Sequence, residues 1–255
     1  MPLRLLSSSF FVATTATRRL NLLLTTTAIT TLRPFTMTAK TQEPVINSIT
    51  DLAQGKHLNL KNINFTDETG KPRVWEVAGR ANRSATAGVD AVSIGNILLP
   101  PPSQKSTRPA STILVVQYRP PLDAYTVEWP AGLIDPKEDV ETAALRELKE
   151  ETGYEASRVL SVSPPQAADP GMSSATVQLV MVEVQLPEGC DGADGELAMP
   201  PQKLDDGEHI ERVVVPLADL YGRLVEYAGR ERHVVAAKLF HFAQGMEFMK
   251  GQKYF

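Results

Sequence analysis

The chain has 255 residues, with 26 Lys and Arg against 30 Asp and Glu, a formal net charge of −4, and a composition that is 42% hydrophobic and 22% charged. That is enough apolar material to bury a full core, and too polar overall for a membrane-spanning body. Cys190 is the single cysteine, which excludes an intramolecular disulfide and a multi-cysteine metal site, and His57, His209, His233 and His241 lack the spacing of a zinc hydrolase.

Residues 1–42 carry Arg4, Arg18, Arg19, Arg33 and Lys40, many Ser and Thr, and no acid before Glu43. This is the composition of a mitochondrial transit peptide. The apolar pieces Phe10 to Ala13 and Leu20 to Leu24 fall far short of the roughly 20 apolar residues a span needs. Arg18-Arg19 also interrupts what a secretory signal would keep continuous. The segment is read as a cleaved presequence for the mitochondrial matrix, with initiation at Met37 giving a cytosolic form. Its removal takes five bases from 26, so 21 face 30 acids and the remainder carries −9. Such a body does not grip nucleic acid nonspecifically, because that binding rests on Lys and Arg neutralising phosphates. An anionic substrate has to be met locally.

Residues 45–85 read as a small β-rich unit, with Leu58-Asn59-Leu60 and Arg73 to Val77 as strands around the turn Asp67-Glu68-Thr69-Gly70. A larger domain, 86–255, follows. Residues 99–110 break the pattern with prolines and polar residues and read as an inserted surface loop. Ile113 to Tyr118 is then a buried strand running into Arg119.

Glu128-Trp129-Pro130-Ala131-Gly132 sets a breaker pair before a Gly-led loop, with Glu138 on the far side of that loop. Asp139 is an N-cap, the residues through Thr152 are good helix formers, and Gly153 stands where a left-handed residue ends a helix. On this helix Glu147 and Glu151 share a face, Glu150 lies close by, Arg146 is one turn before Glu150, and Ala144, Leu145 and Leu148 form the apolar stripe. Carboxylates about 4 Å apart repel by roughly 1 kcal/mol in water, and by several times more at lower effective dielectric, so the cluster calls for a cation. Hard oxygen ligands select Mg²⁺ or Mn²⁺. An acidic run on a helix is by itself more often a solvated face. A plain surface helix, however, has no need of the Gly-led turn in front of this one.

Farther on, Ser174 to Val184 alternates as a strand, Pro187 to Gly207 is a Pro/Gly/Asp-rich loop, and Ile210 to Val215 is another strand. Two helices, about Leu217 to Ala228 and Arg230 to Ala243, finish the chain.

Gly132, Glu138, Arg146, Glu147, Leu148, Glu150, Glu151, Gly153 and Tyr154 agree with every fixed position of the Nudix box, so the chain resembles the Nudix hydrolases. Val115 to Pro121, Trp129 to Leu133, Asp169-Pro170-Gly171 and Asp206-Gly207-Glu208 are similar to the ADP-ribose and ADP-sugar pyrophosphatase branch, over most of residues 45–255. The resemblance implies an α/β/α sandwich with a mixed β-sheet, plus the N-terminal β-rich unit. It also implies Mg²⁺- or Mn²⁺-dependent hydrolysis of the diphosphate of ADP-ribose or another ADP-sugar, giving AMP and a sugar phosphate.

By the same resemblance Glu147, Glu150, Glu151 and the Ala131 carbonyl are metal ligands, Arg146 orients the glutamates, and Glu208 is a general base or water-orienting carboxylate. Arg80 and Arg119 contact phosphate, which suits a planar guanidinium. Trp75 and Glu76 meet the adenine, His57 stands where a second aromatic slab would sit, and Leu133 and Asp169 belong to the substrate-binding runs. A homodimer is implied, the N-terminal unit reaching across to its partner. His57 keeps other substrates open, such as an oxidised guanine nucleotide or NADH, and a nucleotide-sensing or RNA-binding module without hydrolysis is the reading from a different class.

Overall fold

The structure, a computed structural model, describes residues 42–81, 88–102, 108–190 and 197–252. The presequence reading, Met37 included, falls on residues outside these, apart from Gln42 itself.

Three strands come first, β1 (Val45–Gln54), β2 (Leu58–Thr66) and β3 (Pro72–Arg80), forming an antiparallel sheet in the order β1-β2-β3. The β2–β3 turn is set by Asp67, whose carboxylate accepts from the N–H groups of Thr69 and Lys71 and pairs with Arg73 at 2.9 Å. β1 lies in the stretch read only as generally β-rich, without strand bounds of its own.

The remaining strands are β4 (Ala91–Leu99), β5 (Ser111–Arg119), β6 (Ala124–Glu128), β7 (Ala131–Leu133), β8 (Arg158–Val162), β9 (Gln166–Ala167), β10 (Thr176–Gln185), β11 (Ile210–Pro216) and β12 (His233–Val235). They make a second sheet in the order β12-β6-β5-β4-β10-β8, with β11 on β5, β7 on β4 and β9 on β10. β10 runs parallel to β4, and β12 to β6, while the other pairs are antiparallel. The helices are α1 (Val140–Thr152), α2 (Leu220–Ala228) and α3 (Ala237–Lys250).

Central strands are buried on both faces, and β5 is so from Ser111 to Val116, with the apolar run at Ile113 to Val116. Its side chains feed two separate cores. Ile113 joins Val92, Ile94, Leu98, Val180 and Val182 against Ala143, Ala144 and Leu148 of α1. Leu114 and Val116 join Val127, Trp129 and Val215 against Leu220, Leu224 and Tyr227 of α2 and Leu239 and Ala243 of α3. With α1 on one core and α2 and α3 on the other, the molecule is an α/β/α sandwich around a mixed sheet, as the resemblance implies.

α1 forms with the ends expected. The Asp139 carboxylate accepts from the Thr142 N–H at 2.8 Å, and Gly153 closes the helix at φ 80°. One detail differs, since Leu145 is 38% exposed and the apolar seam runs instead through Ala143, Ala144 and Leu148. At 100° per residue the seam 144–148 continues to position 151, so Glu151 lies on it.

The last helix is also displaced. The sequence suggested Arg230 to Ala243, but His233, Val234 and Val235 are extended as β12, and α3 begins only at Ala237. β-branched Val234 and Val235 find a parallel partner in Thr126 and Val127 of β6, and tertiary pairing overrides local helix propensity. Residues 217–219 likewise form a tight turn ahead of α2 and do not belong to it.

Leu148→Ala empties a fully buried site between α1 and the sheet, so unfolding stability should fall by about 2–5 kcal/mol. Urea titration reads this as a lower midpoint at unchanged slope. A loss below about 1 kcal/mol would contradict the place given to Leu148 in this core.

Candidate active site

Arg146 is the hub of the acidic helix. Its Nε and Nη2 fork onto both oxygens of Glu138, each at 2.9 Å, while Nη1 donates to Glu147 Oε1 at 2.8 Å and Glu150 Oε2 at 3.1 Å. Nη2 also donates to the Leu133 carbonyl at 3.0 Å, tying the helix to the Gly-led loop. Charge-assisted hydrogen bonds of this kind fix the three carboxylates relative to one guanidinium plane. The hydrogen bonds from Arg146 hold the Glu138 carboxyl below its ordinary range, and Glu138 in turn holds the Arg146 guanidinium above its own.

Gly132 lets β7 pass directly beneath the helix. A Cβ there would lie 1.9 Å from the carboxyl carbon of Glu147, so any side chain must push that carboxylate away. Next to it, the Ala131 N–H donates to Glu151 Oε2 at 3.1 Å.

Glu151 is only 4% exposed, the consequence of its place on the apolar seam. Burial pushes its carboxyl up to about 8, the like charges of Glu147 and Glu208 reinforce this, and the Ala131 N–H and Arg119 oppose it. Glu147 is raised too, by burial first, with Arg146 pulling the other way and Glu150 and Glu208 adding to the rise.

These groups open into a cleft of about 490 Å³. It brings together Glu147, Glu150, Glu151, Arg146 and Glu208, and sets Arg80, Arg119, Ala131 and Leu133 on its walls. Arg119 is steadied by Glu128 at 3.1 Å. Glu208 sits at the end of a turn in which Gly207 takes φ 85°, and its Oε2 accepts from the Asp205 N–H at 3.1 Å.

Four residues inferred to bind substrate lie outside this cleft. Trp75 is 50% exposed and donates through Nε1 to the Gly171 carbonyl at 3.2 Å, so it is not a core tryptophan. Glu76 and His57 are exposed on or beside the small sheet. Asp169 is exposed, its carbonyl accepting from the Met172 and Ser173 N–H groups. Conversely, Asp135, Lys203 and Asp205 line the cleft and were not singled out from the sequence. The signal that would have found Lys203 and Asp205 is their nearness to Glu208 in a loop that has to fold over the helix end. A second cavity of about 330 Å³ shares Arg80, Ala91 and Ala131 with the first and continues past Trp129 to Lys238.

Among the described residues no three His, Cys, Asp or Glu side chains stand where together they could hold a metal ion. The donor set still fits a hard divalent ion, since it consists of carboxylate oxygens, and burial first and neighbouring carboxylates second raise the proton affinity of Glu147 and Glu151. Glu147 and Glu150 each lend one of their two oxygens to Arg146, Oε1 and Oε2 respectively.

A NUDIX domain model matches residues 102–238. The chain is 36% identical to ADP-sugar pyrophosphatase of Mus musculus over 77% of this chain and 84% of that protein. It is 38% identical to ADP-ribose pyrophosphatase of Saccharomyces cerevisiae over 76% of this chain and 79% of that one. A crystal structure of an ADP compounds hydrolase superposes with a TM-score of 0.53 over 83% of this chain and 98% of its own, at 20% identity, a likeness of fold alone. The chain belongs to the Nudix hydrolase family, in the branch of the ADP-sugar and ADP-ribose pyrophosphatases.

Two outcomes are expected from this geometry. Gly132→Ala should weaken divalent-cation binding measured by titration calorimetry at least tenfold, because it displaces Glu147; the displacement costs about 1–3 kcal/mol of overpacking. Unchanged affinity would contradict the close approach. The second concerns pH. Glu151 titrates near 4.5 when unfolded and near 8 in the fold, so the folded state binds the extra proton between those values. In cation-free protein its contribution to stability is full below about 4.5 and is lost as pH rises through about 8. The melting temperature of cation-free wild type should therefore fall relative to Glu151→Gln across that window, and parallel curves would refute the assignment.

Proposed function

We propose that this protein hydrolyses the diphosphate of ADP-ribose and related ADP-sugars, giving AMP and a sugar phosphate such as ribose 5-phosphate, with Mg²⁺ or Mn²⁺ as cofactor. The observation that carries it is one cleft lined by Glu147, Glu150, Glu151 and Glu208 together with Arg80 and Arg119. The names of the mouse and yeast relatives support the substrate class.

A diphosphate is protected from water by its own negative charge, and bound divalent ions supply neutralisation of that charge and an acidified water. Glu147, Glu150 and Glu151 would hold those ions, together with the backbone at Ala131. Arg119, braced by Glu128, and Arg80 clamp phosphate oxygens from within the same cleft. Glu208 orients the attacking water and takes its proton. Water adds to one phosphorus, the bridging P–O bond breaks, and the second phosphate departs with its sugar.

Trp75 and Glu76 would meet the adenine from the small sheet, an indole face and a carboxylate suiting a purine with an exocyclic amine. Their position outside the cleft goes with a homodimer in which that sheet serves a partner. Supporting this, Val45, Ile46, Ile49, Leu52, Leu58 and Val74 leave apolar surface exposed on β1 to β3. The mitochondrial matrix is the proposed location, on the strength of the basic, acid-free residues 1–42.

Purified protein should release AMP from ADP-ribose only when Mg²⁺ or Mn²⁺ is added, followed by chromatography. Glu151→Gln should lower kcat by a factor on the order of 10²–10³, as when a preorganised electrostatic group is removed. Near wild-type turnover in that variant would overturn the ligand set.

A further inference from the structure

The last turn of any α-helix leaves four carbonyls without partners inside the helix. In α1 these carbonyls belong to residues 149–152, adjoining the glutamates of the site. Gly153 N–H bonds Lys149 O at 2.8 Å, as a left-handed cap does. The other three are taken by a single distant segment. Lys203 N–H donates to Glu150 O at 2.9 Å, Gln202 Nε2 to Glu151 O at 2.6 Å, and Arg212 Nη1 to Thr152 O at 2.6 Å.

That segment is the one that carries Glu208. Gln202 Nε2 also donates to Ile210 O at 3.1 Å, so one side-chain amide ties the helix end to both roots of the loop 203–209. Arg212 does the same one layer down, its Nη1 bonding the Pro200 carbonyl as well as Thr152 O. The approach is close enough that a Cβ on Gly153 would fall 2.6 Å from Pro201 O and 2.8 Å from Pro200 O. Gly153 thus serves both the helix cap and the docking of the loop.

We propose that Gln202 is a positioning residue for hydrolysis, with Arg212 beneath it. By clasping the C-terminus of α1 to the loop 203–209, it fixes where Glu208 stands relative to Glu147 and Glu151. Gln202 lines neither of the two cavities and acts through the placement of Glu208. The catalytic part of this inference rests on the function proposed above, while the clasp itself does not.

The test uses the full chain and two variants. Gln202→Met keeps the shape and loses the donors, and Gln202→Lys restores N–H donors of similar reach. Native-state amide exchange should show residues 203–209 opening at least tenfold faster in Gln202→Met while α1 amides toward its N-terminus stay protected, with protection recovered in Gln202→Lys. Against ADP-ribose, Gln202→Met should lose about 10- to 100-fold in kcat, the scale of a misplaced group, with KM within about twofold. In a Glu208→Gln background the same change should cost no more than about twofold, since the two act as one unit. A purely structural role would multiply the losses instead. Unchanged exchange, or multiplicative losses in the double variant, would overturn the proposal. Should the wild type release no AMP from ADP-ribose, the proposed activity falls, and amide exchange still decides the clasp.

Discussion

A carboxylate set on the apolar seam of a helix is the constraint from which most of this site follows. Ala144 and Leu148 pull that seam into the core, and Glu151, next on the same line, is drawn in with them. A buried ionised carboxyl is costly unless it is paired, and the surroundings of Glu151 offer one N–H and a distant arginine against two further carboxylates. The free energy of packing α1 against the sheet therefore holds the Glu151 carboxyl in a desolvated place beside Glu147 and Glu208, and burial, ahead of like charge, raises its proton affinity.

Arg146 keeps this arrangement orderly. By forking onto Glu138 and reaching Glu147, Glu150 and the Leu133 carbonyl, it joins the Gly-led loop to the helix through one planar group. The same contacts explain why the loop begins with glycine, since β7 must pass within van der Waals contact of Glu147 for the loop carbonyl to reach the guanidinium. At the opposite end of α1 the loop 203–209 is attached in a comparable way, through carbonyls the helix cannot use internally. One short helix is thus held at both ends by segments that bring further polar groups to its acidic face.

Much of this could be read in the residues because it is local. The cap Asp139, the left-handed Gly153, the pairing of Arg146 with Glu150 and the shared face of Glu147 and Glu151 depend only on the 3.6-residue period and on residue type. Leu145 and the last helix departed from expectation for tertiary reasons. Leu145 is apolar but rotated off the seam, and Val234 and Val235 exchanged helix for a parallel pairing with β6. Asp135 went unmarked because nothing in its local pattern places it at the cleft, and Lys203 and Asp205 offer only their nearness to Glu208, since tertiary packing decides which loop closes over the cleft.

The sequence by itself determined the chemistry available, namely an acidic, well-capped helix behind a glycine turn, and with it the family. Only the tertiary structure decided how far Glu151 is desolvated, which arginines share its cleft, and that Trp75 lies outside it. The physical reason is range. Helix caps and i, i+4 neighbours are fixed by a few adjacent dihedrals, whereas burial and cleft geometry come from segments such as β3, β5 and the Glu208 loop, which meet α1 only when the sheets assemble.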